Sequence, residues 1–329
     1  MRRIGACLLT AGLLALAGCT SGAEPEPEPV NPLAGARFFA ATPNVATRQA
    51  DEYAAAGRAE DADAIRHIGE QPTAVWFTGA STDTVTRAAT LVADARTAGR
   101  LPVITVYNVP GRDCGSFSAG GAAGREEYLT WVRALAAALA GEPVLIVLEP
   151  DAVAQAVDGC AGPPAERYAL LAAAVDAFAA NERARVYLDA GNASWIADRD
   201  RLASALRAAG IARAAGFALN VSNFETTEAS VTYGTRLSEA LGGAHFVIDT
   251  SRNGNGPNAA SGVARWCNPP GRAIGADPTT DTGVPRLDAL LWVKRPGESD
   301  GECDRGDPPA GAWFPEYALA LSGRPVSPE

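Results

Sequence analysis

Carboxylates at the ends of apolar runs are the chemically loaded positions in this chain. They occur in four short stretches: Gly111-Arg112-Asp113-Cys114, Glu149-Pro150-Asp151, Asp189-Ala190-Gly191 and Gly297-Glu298-Ser299-Asp300-Gly301. Three directly follow runs that read as buried strands (Val103 to Tyr107, Val144 to Leu148, Val186 to Leu188), and the fourth follows Leu287 to Val293 after a few residues. Acids at strand ends converge on one face of a parallel sheet, where loops carry chemistry and strands hold them rigid. Several acids in one cleft point to acid/base hydrolysis. Asp151 emerges from the apolar run Leu145 to Leu148 into a partly desolvated place, which raises a carboxyl pKa as a general acid requires. The competing role for Asp151 is to cap the helix that follows. Asp113 lies between Arg112 and Cys114, so its loop has a possible ionic partner and a possible covalent anchor.

The elements that must position these acids alternate along the chain. Strands are expected at Ala74 to Thr78, Val103 to Tyr107, Val144 to Glu149, Val186 to Asp189, Gly216 to Asn220, Phe246 to Asp249 and Leu287 to Val293. Between them, Thr84 to Ala98, Arg125 to Leu139, Ala165 to Asn181, Asp198 to Ala209 and Tyr233 to Leu241 carry apolar residues at helical spacing. That alternation predicts right-handed crossovers and a parallel sheet covered on both faces. No linker-like composition interrupts it, so one domain is expected. Gly111 to Gly124 and Ser251 to Pro285 are long irregular loops, each containing a cysteine, and loops of this length in a compact domain tend to be functional.

The 329 residues are 47% hydrophobic, enough for a large core, and carry a net charge of −10, which disfavours nucleic acid as a partner. Arg2-Arg3, the apolar run Ile4 to Ala17 and the box Leu16-Ala17-Gly18-Cys19 resemble a bacterial lipoprotein signal. The expected layout is a signal peptide over 1–18, lipid on Cys19, a Pro/Glu-rich tether over 19–32 and a catalytic domain over 33–324. The protein is then exported and touches membrane only through its lipid, on the outer face of the cell membrane, or is secreted. Without Cys7 and Cys19, four cysteines remain: Cys114, Cys160, Cys267 and Cys303. An even count in an oxidising compartment implies two disulfides with three possible pairings. A metal site is not expected, because there is no CxxC pair and His67 and His245 stand alone.

Several strings together resemble glycoside hydrolase family 6: Val-Tyr-Asn-Val-Pro-Gly-Arg-Asp-Cys-Gly (106 to 115), Leu-Glu-Pro-Asp (148 to 151), Tyr-Leu-Asp-Ala-Gly-Asn-Ala-Ser-Trp (187 to 195), Asn-Val-Ser-Asn-Phe (220 to 224), Asp-Thr-Ser-Arg-Asn-Gly (249 to 254), Trp-Cys-Asn (266 to 268) and Trp-Val-Lys-Arg-Pro-Gly-Glu-Ser-Asp-Gly (292 to 301). They run in the family's order over nearly the whole mature domain. The resemblance implies an α/β fold, a distorted seven-stranded parallel β/α barrel of TIM-like kind, that cleaves β-1,4-glucan with inversion and needs no cofactor. It implies Asp151 as general acid, Asp113 as the acid that raises its pKa, and Tyr107 against the distorted ring. Asp300 matches the position of the base, neutralised by Arg252 and Lys294. Asp189 is a further acid near the site, with a buried pairing to Arg112 as its alternative. Trp76, Trp195 and Trp266 match sugar platforms, while Asn223, Lys294 and Glu298 match polar contacts. Trp292 and Trp131 are assigned to packing. The family's pairing of cysteines is Cys114 with Cys160 and Cys267 with Cys303.

Two departures stand out. Asn192 occupies the usual histidine of the Asp-Ala-Gly-His-Ala-Gly-Trp motif, and Ala119, beside Ser118, replaces a loop serine that commonly holds the catalytic water. The stretch from Lys294 to Trp313 is too short for a large roof over the cleft. An open groove, a monomeric endoglucanase (cellulase) and a β-1,4-glucan or cello-oligosaccharide substrate are therefore expected. The alternatives are a cellobiohydrolase of the same family and a non-catalytic glucan-binding lipoprotein.

Overall fold

A computed structural model describes residues 30–79, 83–160 and 162–324. The signal segment, Cys19 and most of the 19–32 tether lie outside the described residues. Seven parallel strands form one sheet in sequential order: β1 Val75–Phe77, β2 Val103–Val106, β3 Val144–Leu148, β4 Ala184–Asp189, β5 Gly216–Leu219, β6 His245–Asp249 and β7 Leu287–Leu291. The expected strands are all present, most of them shortened by a residue or two at the C-terminal end, where the chain turns into the loops. The sheet curls until its edges touch at one parallel bridge, Thr73 to Trp292, where the Ala74 N–H donates to the Trp292 carbonyl at 2.9 Å. This is the distorted seven-stranded barrel expected, in a single domain.

Ten α-helices complete the described residues: α1 Val45–Ala55, α2 Ala59–Glu70, α3 Thr84–Thr97, α4 Arg125–Ala138, α5 Ala152–Val157, α6 Pro164–Ala179, α7 Arg199–Ala208, α8 Thr227–Ala240, α9 Val263–Trp266 and α10 Pro315–Leu321. Their starts follow local chemistry. Pro164 opens α6, where its missing N–H costs nothing, and the Asp198 side chain accepts from the Arg201 N–H at 3.0 Å to cap α7. The Thr226 hydroxyl caps α8 by accepting from Ala229 N–H at 3.1 Å. That cap starts α8 six residues earlier than the apolar spacing around Tyr233 predicts.

Strand residues alternate between two cores. In β3, Leu145 and Val147 face the barrel interior with Val103, Tyr187, Ala218, Val247 and Ala289, while Val144, Ile146 and Leu148 face the helices. Both faces are dry, which is why these strands read as continuous apolar runs. Truncating a side chain such as Leu145 to alanine costs about 2–5 kcal/mol. Trp292, at 1% exposure, is a packing residue as expected, its indole N–H donating to the Ala276 carbonyl at 2.9 Å.

The chain enters at the N-terminal ends of the strands. The Asn31 amide donates to the carbonyls of Thr280 (3.1 Å) and Asp288 (2.9 Å), and Leu33 and Phe38 fill the barrel interior. At the opposite ends the strands release the loops that carry the acids.

Candidate active site

A groove of about 1000 Å³ runs along the C-terminal ends of the strands. Asp113, Asp151, Asp300, Tyr107, Trp76, Trp195, Trp266, Asn223, Lys294, Glu298 and Arg112 all line it. Asp189 and Arg252 are buried behind its wall.

Asp151 stands at the head of α5 with a left-handed backbone (φ 69°), and its side chain makes no capping bond. The helix-cap alternative is thereby excluded. Its backbone N–H donates instead to Asp189 Oδ1 at 2.8 Å, which also accepts from the Gly191 N–H at 2.9 Å. With Glu149 also left-handed (φ 49°), the chain turns sharply at Pro150 and presents the Asp151 carboxyl to the groove. Burial pushes that carboxyl up to about 7, and the Asp113 charge adds to the rise. Burial also raises Asp113, with the Asp300 charge adding, against the pull of the Ser118 N–H (2.6 Å to Oδ2) and Arg112. Asp189 is raised well above the usual range by burial and by Asp151, and its Oδ2 has no hydrogen-bond partner among the described residues.

Asp300 goes the other way. Burial alone would raise it, but Arg252 (Nη1 to Oδ2, 2.7 Å) and Lys294 (Nζ to Oδ1, 3.5 Å) hold it below the usual carboxylate range. The Asn268 N–H adds a bond to Oδ2 at 3.1 Å, and the Asn268 amide oxygen accepts from the Asp300 N–H at 2.7 Å. The groove thus holds one carboxyl that keeps its proton near neutrality and one that stays ionised. That combination suits proton donation at one point and polarisation of water at another.

Tyr107 is almost buried, edge-on to Trp76 with ring centroids 5.5 Å apart, and the Arg112 guanidinium lies 4.9 Å from its ring centre. Arg112 donates to the carbonyls of Thr78 (2.9 Å), Tyr107 (2.7 Å) and Ser118 (2.9 Å). It therefore pins the Asp113 loop and does not pair with Asp189, which corrects that alternative: three carbonyls within reach absorb its donors. The Trp76 indole N–H donates to the Val293 carbonyl at 2.9 Å, and the Trp195 N–H to Asp158. Glu298 pairs with Arg295 at 2.6 Å, and Lys294 also donates to the Ser299 carbonyl at 3.0 Å.

The cysteines pair as Cys114–Cys160 and Cys267–Cys303. The first ties the Asp113 loop to the loop after α5; the second, buried, holds the segment after β7 to the segment before Asn268. Phe117, on the Asp113 loop, packs against Gly301, its ring centroid 6.0 Å from that of Trp266 at an interplanar angle of 55°. Gly301 has φ 145°, and a Cβ there would fall 2.3 Å from the Phe117 Cβ, so only glycine admits this contact.

Three contributors were not assigned from the sequence. Glu149, fully buried, accepts from the N–H groups of Asn108 (3.0 Å to both oxygens) and Val109 (3.0 Å), fixing the turn after Tyr107. Asp249 accepts from four backbone N–H groups, those of Ser222 (2.9 Å), Ser251 (2.9 Å), Val293 (3.2 Å) and Lys294 (3.1 Å), and so gathers the loops after β5, β6 and β7. Arg265 completes the groove wall beside Trp266. Glu149 and Asp249 follow the same rule that singles out Asp151 and Asp189, an acid closing an apolar strand.

Known proteins resemble this chain in sequence and fold. The chain is 48% identical over 225 residues to endoglucanase A of Cellulomonas fimi, covering 68% of this chain and 47% of that protein. It is 39% identical to endoglucanase 1 of Streptomyces halstedii, over 86% of this chain and 88% of that one. The chain thus spans about half the length of the first relative and most of the second. Among solved structures it resembles the endoglucanase Cel6 of Mycobacterium tuberculosis, bound there to methyl-cellobiosyl-4-deoxy-4-thio-β-D-cellobioside, with a TM-score of 0.84, 41% identity, and coverage of 89% of this chain and 98% of that one. The family profile for glycosyl hydrolases family 6 matches residues 33–324, and the chain belongs to that family.

Proposed function

We propose that this protein is an inverting endo-β-1,4-glucanase. A glucan chain lies along the groove with its flat apolar faces on Trp76, Trp195 and Trp266, while Asn223, Lys294 and Glu298 take hydroxyls. Tyr107 presses on the ring whose bond is cut. Asp151 donates its proton to the glycosidic oxygen, which leaves with the departing sugar. A water on the opposite face of the ring adds to the anomeric carbon and gives up a proton towards Asp300, directly or through further water. The proton received towards Asp300 then passes to solvent and Asp151 takes one back from solvent, so that one water is consumed and configuration inverts. Asp113 keeps Asp151 protonated, and Asp189 fixes the backbone that presents it.

The observation that carries this reading is the opposition of two acids in one groove, Asp151 raised to about 7 and Asp300 lowered by Arg252 and Lys294. Endo action is supported by the segment after β7, which is tied back on itself (Ser299 N–H to the Ala312 carbonyl, 2.8 Å; Gly311 N–H to the Ser299 carbonyl, 2.9 Å) and forms a rim of the groove. The lipoprotein-like start supports export, a lipid on Cys19 and work outside the cell.

Carboxymethylcellulose and barley β-glucan provide the test. A fall in viscosity with few new reducing ends is expected, whereas cellobiose as sole product means exo action and no change means binding alone. Asp151→Asn is expected to lose nearly all turnover while still binding cellotetraose; undiminished turnover refutes the acid assignment.

A further inference from the structure

A polar chain outside the acid cluster runs along the half of the groove built by β4, β5 and β6. It starts at Asn192 and Ser194, the two positions where this sequence leaves the histidine and glycine of the Asp-Ala-Gly-His-Ala-Gly-Trp motif. The Asn192 amide oxygen accepts from the Ser194 N–H at 3.1 Å, and the Ser194 hydroxyl donates to Glu225 Oε1 at 2.7 Å. The same Glu225 oxygen accepts from Arg265 Nη2 at 3.0 Å, and Arg265 Nη1 donates to the Asn258 carbonyl at 3.2 Å. Glu225 is buried, whereas the Arg265 side chain is 36% exposed and lines the groove next to Trp266.

Arg265 is therefore held at two points with further N–H groups left to face the groove. A guanidinium offers five donors in a rigid planar fork, which matches two neighbouring hydroxyl oxygens on a sugar ring. Glu225 offsets its charge, so the wall suits a neutral sugar. Trp76, Tyr107, Lys294 and Asp300 come from the β1, β2 and β7 side, where the reacting ring sits in the glucanase reading. Arg265 and Trp266 follow β6, in the half of the sheet away from Tyr107 and β2, and in that same reading this half takes the leaving group.

We propose that Arg265, positioned by Glu225 and Ser194, determines specificity in the leaving-group half of the groove by donating to adjacent hydroxyls of the glucosyl unit resting on Trp266. This rests on the glucanase reading.

The test compares kcat/KM on cellotetraose with that on an aryl β-cellobioside, whose phenolate leaving group presents no sugar to Arg265. In Arg265→Ala the ratio of the two values is expected to fall about tenfold, the worth of one charge-assisted hydrogen bond, mainly through KM. Glu225→Gln is expected to move the ratio the same way, and Arg265→Lys to restore part of it without restoring the fork. An unchanged ratio overturns the proposal, including a case in which both substrates lose equally. If the unaltered protein cleaves neither substrate, the glucanase reading fails separately. Calorimetric binding of cellotetraose to Asp151→Asn, with and without Arg265→Ala, still decides this proposal: equal affinity overturns it and about tenfold weaker binding supports it.

Discussion

Replacing Asp113 by asparagine separates the two causes that keep Asp151 protonated. Asparagine preserves the shape and an oxygen to accept the Ser118 N–H, but removes the charge facing Asp151. At an effective dielectric constant of about 20, like charges sharing a groove interact by about 1–4 kcal/mol. The lower end of that range corresponds to about one pH unit. Because Asp113 is itself pushed up by burial and carries a full charge only part of the time at lower pH, a net shift of about one unit is expected. The sign follows from the role: the acid must be protonated, so activity falls as pH rises through the Asp151 pKa near 7. In Asp113→Asn this alkaline limb moves down. It does not reach the ordinary aspartate value, because burial, the larger cause, remains. The assay is kcat/KM on cellopentaose from initial reducing-end formation between about pH 4 and 9, which reports the free enzyme. The position of the limb is the readout, since the maximal rate drops as well. A limb that stays put or moves up refutes the coupling, and a collapse to about pH 4 refutes burial as the leading cause.

Two further predictions concern the supports of the site. Burial raises the Glu149 carboxyl to about 7 in the folded state, so its contribution to stability is full below the unfolded value of 4.5 and is lost as pH rises towards 7. The loss is on the order of 3 kcal/mol. Glu149→Gln is expected to flatten this part of the melting-temperature profile between pH 4.5 and 7.5, while lowering stability at pH 5 by about 1–3 kcal/mol through poorer acceptance of the Asn108 and Val109 N–H groups. An identical pH slope in both proteins refutes it. Arg252→Leu is expected to cost about 3–5 kcal/mol by leaving Asp300 buried without its closest cation. It is also expected to move the acid limb of the activity profile upward as the Asp300 pKa rises. Arg252→Lys, read by the same melting and pH measurements, should recover much of both effects; an acid limb unmoved in a folded variant refutes the pairing.

The barrel was legible because its strands are largely dry on both faces, so β2 to β7 stand out as apolar runs broken only by Thr105, Arg185 and Asp288. The helices α1 and α2 were not. Alanine and glycine make up four of their seven buried positions (Ala46, Ala50, Ala62 and Gly69, beside Tyr53, Ile65 and Ile68), which gives weak contrast, and they pack in a cluster with α10 separate from the barrel. The start of α1 is set by a capping box between Asn44 and Thr47, a signal present in the sequence but not followed by a strong apolar stripe. In the groove, residue types announced the acids and platforms, since a carboxylate at a strand end and a tryptophan among polar loops are unusual. Glu149 and Asp249 close apolar strands as the catalytic candidates do, but their supporting roles were hidden, because their partners are backbone N–H groups of distant loops. The same holds for Arg112, whose three carbonyl acceptors carry no sequence signature.

The way the polypeptide joins the barrel has a bearing on how a polymer could reach it. Asn31 and Leu33 fasten the chain at the pole where the strands begin, so the described residues start on the side remote from the catalytic trough. The residues around Asn31 take no part in lining the trough, and a polymer many sugars long can rest there without meeting them.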